Sequence, residues 1–327
     1  MVEIETVIPW IEKYKPDKID DMVIDPIILN KFKKIIEDLD MPNCIITGIP
    51  GIGKTSTILC LADILYGEYK NQAVLELNAS ADRGIKAVQD SIIHFCKKKL
   101  VVKKGCNYSK HKLVLLDEAD NMTPKAQQLI NNLMEKYIKT TRFAFTCNNS
   151  CDIIEAIQSR CVIFRYKRLN NEQITDKLKE ICNLENINYD NKGLETITFI
   201  SQGDLRQAIN NLQLTYNSYG KINKKTVYNL CDEPQPFIIK NILISCYNKE
   251  IRESLSQVRI LFNKGYSPSD IILSLLNVLK LVDISEIDES MKIKFMKEVA
   301  ETCIVISRGV DSQLQITGCI ARMISLV

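Results

Sequence analysis

At 327 residues the chain is long enough to bury a substantial core and to divide into two or three domains. With 46% hydrophobic and 25% charged residues it has an ordinary globular balance; no apolar stretch approaches a membrane span, and Met1 to Trp10 lacks the basic start and apolar run of a secretory leader, so an intracellular, non-membrane protein is expected. A formal charge of +3 is too small to announce a nucleic-acid binder, and the twelve scattered cysteines agree with a reducing compartment. The nearest pair, Cys147 and Cys151, has no second pair or histidine to complete a zinc tetrahedron.

In chain order, a segment containing Pro9 and Pro16 leads to a helix over Asp25 to Asp38 and a buried strand at Cys44 to Thr47. A glycine-rich loop follows, then a helix over Ser56 to Leu65 and a strand over Ala73 to Leu77. Helical spacing of Ile85, Val88, Ile92 and Phe95 predicts a helix over Gly84 to Lys98. Lys97, Lys98, Lys99, Lys103, Lys104, Lys110 and Lys112 crowd the next stretch, which reads as a solvated lysine-rich loop in preference to a phosphate track. The apolar run from Leu113 is a buried strand ending in Asp117. Pro124 opens a helix reaching Tyr137, Arg142 to Cys147 is a strand, and Ala156 to Arg160 leads to a last strand, Val162 to Tyr166. Such alternation specifies a parallel sheet covered by helices on both faces, an α/β fold. From Leu169 onward only helices are predicted, with a linker at Asp232 to Pro236.

Two motifs carry chemistry. Gly48, Ile49, Pro50, Gly51, Ile52, Gly53, Lys54 and Thr55 meet the phosphate-loop pattern at every fixed position, between a strand and a helix as the motif requires. Backbone N–H groups of such a loop converge on phosphate oxygens, Lys54 would reach the β- and γ-phosphates, and Thr55 offers a hydroxyl to Mg²⁺. A nucleoside triphosphate and Mg²⁺ are therefore the expected ligands. The partner motif is Leu115 to Asp120, L-L-D-E-A-D. Ligands bind at the carboxyl ends of strands in open α/β sheets, so Asp117 should coordinate Mg²⁺ and Glu118 should polarise the attacking water. The letters D-E-A-D do not make a DEAD-box helicase, because its other segments are missing.

The ordered set P-W-I-E-K-Y-K-P (9–16), G-I-P-G-I-G-K-T (48–55), L-N-A-S-A-D-R-G-I (77–85), L-L-D-E-A-D (115–120), F-A-F-T-C-N (143–148), Q-S-R-C (158–161) and G-D-L-R-Q-A-I-N (203–210) resembles the small ATPase subunits of replication factor C, eukaryotic type, over almost the whole chain. The resemblance implies an AAA+ P-loop module at 1–167, a helical lid at 168–233 and an all-α collar at 234–327 that serves oligomerisation. It implies a heteropentamer with other replication factor C subunits, which uses ATP to open a sliding clamp and load it on primer–template DNA, in the nucleus of a eukaryotic cell or at another intracellular replication site. Carried over, Asn148 matches the first sensor and Arg206 the second, while Arg160 matches the arginine finger that acts in the neighbour's site, an effect of about 10³ to 10⁵ in rate in related enzymes. Ser56 follows the loop, and Ile11, Lys15 and Val23 would line the adenine pocket. The other readings are a branch-migration type of AAA+ motor and a structural subunit that only donates Arg160; the pairing of Glu118 with Asn148 argues against the latter.

Two segments concern partners. Arg83, Gly84, Ile85 and Lys86 sit at a predicted helix start, where N–H groups and a cation can hold a DNA phosphate without reading bases. Gln89, Ile92 and Phe95 have the spacing of a clamp-binding peptide, and equally that of an amphipathic helix burying Ile92 and Phe95 in this chain's own core. Asn131-Asn132, Ala81 and Gln89 depart from the basic or acidic residues usual at these positions, which bears on DNA contacts and leaves the nucleotide chemistry intact.

Overall fold

Short apolar runs, too brief for helices, become the strands of one parallel sheet. In the computed structural model, which describes residues 8–79, 85–98, 100, 108–230, 234–281 and 284–327, these are β1 (Cys44–Thr47), β2 (Val74–Asn78), β3 (Lys112–Asp117), β4 (Thr141–Cys147) and β5 (Val162–Arg165), in the order β2-β3-β4-β1-β5. The register pairs Ile46 with Thr146 and Phe164, and Leu115 with Glu76 and Ala144. Because side chains alternate along a strand, each run feeds both faces. Ile46, Leu113 and Leu115 join Phe32, Ile58 and Leu61 in one core layer, while Ile45, Val114 and Leu116 join Ile130, Leu133 and Phe143 in the other.

The covering helices are α1 (Trp10–Lys13), α2 (Pro26–Asp38), α3 (Lys54–Tyr66), α4 (Lys70–Ala73), α5 (Ile85–Lys97), α6 (Pro124–Lys136) and α7 (Glu155–Gln158). Their starts are written in the sequence. Asp25 and Thr123 each cap a helix that opens with proline, where the missing N–H costs nothing. Then come α8 (Asn171–Leu184), α9 (Asn191–Ser201) and α10 (Leu205–Tyr219), the last capped by Asp204 through Gln207 N at 3.0 Å. Together with the sheet these form the first of two units, Met1–Asn223.

The second unit, Lys224–Val327, is all helical: α11 (Lys224–Leu230), α12 (Pro236–Tyr247), α13 (Ile251–Asn263), α14 (Pro268–Leu281), α15 (Glu289–Ser307) and α16 (Gln313–Ser325). Ile242, Leu261, Leu275, Phe295, Val299 and Ile320 are among its fully enclosed side chains. Among the described residues no helix is long and apolar enough to cross a membrane.

The lysine-rich reading of 97–112 needs a correction at its end. Lys112 is buried, and its ammonium lies 4.8 Å from the centre of the Phe95 ring and donates to Phe95 O, to Cys96 O at 3.1 Å and to Lys98 O. It closes the carbonyl end of α5, where a helix lacks internal donors. Lys97, Lys98 and Lys110 are exposed, and Lys99, Lys103 and Lys104 lie outside the described residues.

Candidate nucleotide and catalytic site

Chain order in the sheet reverses around β1, and the crevice at its carboxyl end is where ligands of open α/β sheets bind. The loop from Gly48 to Gly53 fills that place. Gly51 and Gly53 take left-handed φ of +71° and +85°, a region open to glycine at no steric cost, and α3 begins at Lys54. The Lys54 ammonium reaches back to Gly48 O (2.6 Å), Ile49 O (3.0 Å) and Asn148 Oδ1 (2.7 Å). Burial lowers its proton affinity, Cys147, Asp120 and Asp117 pull it up, and the charge of Arg206 pushes it down.

The β3–β4 ladder stops at Leu116 and Phe145, and beyond it side chains hold the two strand ends together. Thr146, buried at the end of β4, donates its hydroxyl to Asp117 Oδ1 and accepts Glu118 N at 3.1 Å. Thr55 Oγ1 donates to the same Asp117 oxygen at 2.9 Å. Glu118 has a left-handed φ of +54°, which turns the chain out of the strand into a short 3₁₀ turn, Ala119–Asn121. Asn121 Nδ2 then lies 3.3 Å from Glu118 Oε2, and Asp120 Oδ2 accepts the N–H of Asn148 at 2.9 Å.

Above the loop is a cavity of about 490 Å³. Ile11, Lys15 and Val23 from the N-terminal segment line it, with Gly51, Ile52, Gly53, Thr55, Ser56, Asp117 and Arg206. Apolar walls from Met22, Leu59, Leu169, Leu205 and Ile209 complete it. The N-terminal segment is bound to the α8 and α10 side of the cavity. Trp10 N donates to Gln213 Oε1 at 3.0 Å, and the Trp10 ring lies 5.7 Å from that of Tyr216. Lys13 (2.6 Å) and Tyr14 (2.5 Å) both donate to Glu185, and those bonds hold its carboxyl below the usual range. Asp204 lies directly against Gly51, so that a Cβ there would collide with its carboxylate.

Other expected residues fall elsewhere. Arg160 is on the surface, paired with Glu135 and bonded to Ala156 O at 2.8 Å, and does not line this chain's own cavity. Arg83 and Gly84 lie outside the described residues, while Ile85 and Lys86 open α5. The clamp-peptide reading of Gln89, Ile92 and Phe95 is corrected at its centre: Ile92 is fully buried in this chain's own core, Phe95 packs partly against that core, and Gln89 lines a small cavity of about 120 Å³ beside Leu77, Met122 and Leu133. The helix is amphipathic, and its apolar stripe serves the fold. Asn131 is buried on α6, its Oδ1 without a hydrogen-bond partner. Among the described residues no group of His, Cys, Asp and Glu is arranged to hold a metal by itself, and the described cysteines are free.

Residues 44–169 match the family model described as "ATPase family associated with various cellular activities (AAA)", and residues 234–322 match "Replication factor C C-terminal domain". The chain is 42% identical over 320 residues to "Probable replication factor C subunit 2" of Dictyostelium discoideum, covering 98% of this chain and 93% of that protein. It is 43% identical to "Replication factor C subunit 4" of Saccharomyces cerevisiae, covering 97% and 95%. The chain belongs to the replication factor C small-subunit family. As a member of that family it binds nucleotide, is an AAA-type ATPase, and works as a subunit of a larger clamp-loading assembly. The solved structure of "Thermotoga maritima RuvB Holliday junction branch migration motor" is similar with a TM-score of 0.52, covering 71% of this chain and 78% of that one. At 16% identity that likeness speaks for the fold alone, so the branch-migration reading gives way to replication factor C.

Sequence reasoning missed the roles of Thr146, Asp120 and Asp204 and the attachment of Trp10, Lys13 and Tyr14 to α10 and the end of α8. Thr146 had a signal, as a polar residue in the apolar run F-A-F-T-C. Those attachments had none, since they join residues about 170 to 200 positions apart.

Proposed function

We propose that this replication factor C subunit uses ATP bound in the Gly48 to Ser56 loop to help open a sliding clamp and place it on primer–template DNA, within a heteropentamer of related subunits. The observation that supports the chemistry best is the meeting, at the carboxyl end of β1, of two hydrogen-bonded pairs, Lys54–Asn148 and Thr55–Asp117, under a cavity that Arg206 also lines. Lys54 exchanges its carbonyl acceptors for β- and γ-phosphate oxygens, and the loop N–H groups with the start of α3 hold the rest of the charge. Thr55 Oγ1 and Asp117 Oδ1, 2.9 Å apart, are hard oxygen donors of the kind Mg²⁺ takes, so the pair fits that ion. When bound there, Mg²⁺ neutralises charge on the phosphates.

Glu118 polarises the attacking water, and Asn148 orients that water or the γ-phosphate. Arg206 reads the phosphates from the lid, and Ile11, Lys15 and Val23 enclose the adenine. Arg160 acts in the neighbouring subunit's site. Its tether to Glu135 is an exposed ion pair, worth about 0 to 1 kcal/mol, which the guanidinium gives up at little cost. Residues 1–167, 168–233 and 234–327 act as AAA+ module, lid and collar. Arg83, Gly84, Ile85 and Lys86 hold a template phosphate at the start of α5. The eukaryotic relatives favour a nuclear location.

A complex in which the other subunits' phosphate-loop lysines are replaced isolates this site. Its ATP turnover should rise on adding clamp and primed DNA, and Glu118→Gln should keep ATP binding and lose turnover. Normal turnover by the glutamine variant removes the assigned base, and indifference to clamp and DNA removes the clamp-loading role.

A further inference from the structure

Asn148 stands one residue past the end of β4, beyond the last β3–β4 ladder pair at Leu116 and Phe145. The β1–β4 ladder holds Cys147 opposite Thr47, but Asn148 itself lies past both ladders. Two bonds near the strand ends hold it instead. Thr47 Oγ1 reaches Asn148 O at 3.2 Å, and Asp120 Oδ2 accepts Asn148 N at 2.9 Å. The geometry of Asp120 follows from the turn before it. Glu118 at φ +54° reverses the chain, and the 3₁₀ turn Ala119–Asn121 sends the Asp120 carboxylate back across the end of β4. Its other oxygen, Oδ1, is shut off from solvent and has no hydrogen-bond partner. A buried carboxylate oxygen left unpaired is costly, so the turn is not arranged for the comfort of Asp120 itself. What the arrangement achieves is a fixed Asn148 main chain, with Asn148 Oδ1 2.7 Å from the Lys54 ammonium.

We infer that Asp120 is a positioning residue for ATP hydrolysis, acting through the Asn148 main chain to hold the Asn148 amide where the γ-phosphate and its attacking water meet. The inference rests on the reading of Asn148 as the group that touches that phosphate or water. A charge-assisted bond from a carboxylate to a backbone N–H is stronger and shorter than a neutral one, which suits a clamp at an exposed strand end. The position of the acceptor oxygen is what counts. The negative charge strengthens that bond and also supports the nearby Lys54 ammonium, but the acceptor's place is what sets the geometry.

Four variants test this in the reconstituted complex whose other ATP sites are silenced. Asp120→Ala should lower kcat on the order of 10- to 100-fold, the size of effect expected from displacing a reacting group by about 1 Å. ATP affinity and melting temperature should change little beside that. Asp120→Asn leaves a carbonyl oxygen for Asn148 N and should recover most of the rate. Asp120→Glu keeps the charge but moves it by a methylene, and should be slow. In an Asn148→Ala background, Asp120→Ala should cause no further loss, since both act through one amide.

Full additivity in that double variant overturns the inference, as does a normal rate for Asp120→Ala or an equal loss for Asp120→Asn and Asp120→Ala. If Asn148→Ala alone turns over normally, the reading of Asn148 falls and takes the inference with it. If Asn148→Ala is slow and the losses add, only the inference falls. Should Asp120→Ala unfold, the same cycle run with Asp120→Glu decides the matter, since additivity there has the same meaning.

Discussion

Gly51→Ala tests how closely α10 is fitted to the phosphate loop. Gly51 has φ +71°, and a Cβ there would meet Asp204 Oδ1 at 1.7 Å and its Cγ at 2.2 Å. Asp204 is not free to swing aside, because the same Oδ1 caps α10 through Gln207 N at 3.0 Å. An alanine in the left-handed region costs roughly 1–2 kcal/mol. Giving up an aspartate cap costs about 1 kcal/mol more, so a loss of roughly 2–3 kcal/mol follows from these two effects together. For a cooperative unit the size of Met1–Asn223, at about 2–4 °C per kcal/mol, the melting temperature should fall by roughly 4–12 °C. Scanning calorimetry of the full chain measures it. Asp204→Ser separates the contributions, since serine is shorter and still caps a helix. Alone it should be nearly neutral; beside Gly51→Ala it should restore about 1 kcal/mol. An unchanged melting temperature for Gly51→Ala refutes the reasoning, as does a serine effect that is the same with and without the alanine.

Thr146→Val keeps the shape of the strand end but removes the hydroxyl that serves both Asp117 and Glu118 N, and should cost about 1–3 kcal/mol of stability together with a lowered kcat at nearly constant ATP affinity, read by single-turnover hydrolysis. Lys112→Met keeps the aliphatic stem and strips the donor from the carbonyls ending α5; urea unfolding should show a loss of about 2–3 kcal/mol, where a solvated loop lysine would show none. Arg160→Ala should leave this subunit's own ATP affinity unchanged while slowing the adjacent subunit's hydrolysis by about 10³ or more, measured in complexes where the neighbour's site alone is active. His111 has its pKa lowered, first by burial and then by Arg142, against an upward pull from Asp40. Its contribution to stability is therefore intact above its unfolded value of about 6.5 and is lost as the pH falls below it, so His111→Gln should flatten the decline of melting temperature between neutral and mildly acid pH.

The parts of the site legible in the sequence are those whose chemistry is local. A phosphate loop needs its glycines, its lysine and its threonine in one short run, and Asp117 with Glu118 ends an apolar strand, so both could be placed before any fold was known. Residues that work by long-range contact carried no such mark. Asp204 caps α10, and its second role against Gly51 depends on where α10 lies. Periodicity alone also could not separate a core stripe from a docking stripe on α5, and the burial of Ile92 decides it. Charge counting failed at Lys112 for the same reason: lysine is expected in water, and the three carbonyls that hold this one come from a helix end 14 to 17 residues earlier.

The two sides of the cavity are built from different elements of one unit, Met1–Asn223. Lys54 and Thr55 open α3, and Asp117 and Asn148 lie at the ends of β3 and β4, whereas Arg206, Leu205 and Ile209 stand on α10. The N-terminal segment that lines the base end is fastened to the second group, through Trp10 to Gln213 and Tyr216 and through Lys13 and Tyr14 to Glu185. With adenine placed against Ile11, Lys15 and Val23 as proposed, the base would be tied to the α8–α10 helices and the phosphates to the loop before α3. A triphosphate so placed would join these two sets of elements at both ends. Under the proposed roles of Asn148 and Arg206, loss of the γ-phosphate would remove a contact of both and leave the adenine grip unchanged. On that proposal hydrolysis would loosen α10 against the phosphate loop while the nucleoside stays with the N-terminal segment, and the Gly51–Asp204 contact, which joins that loop to the start of α10, is where the change would be felt.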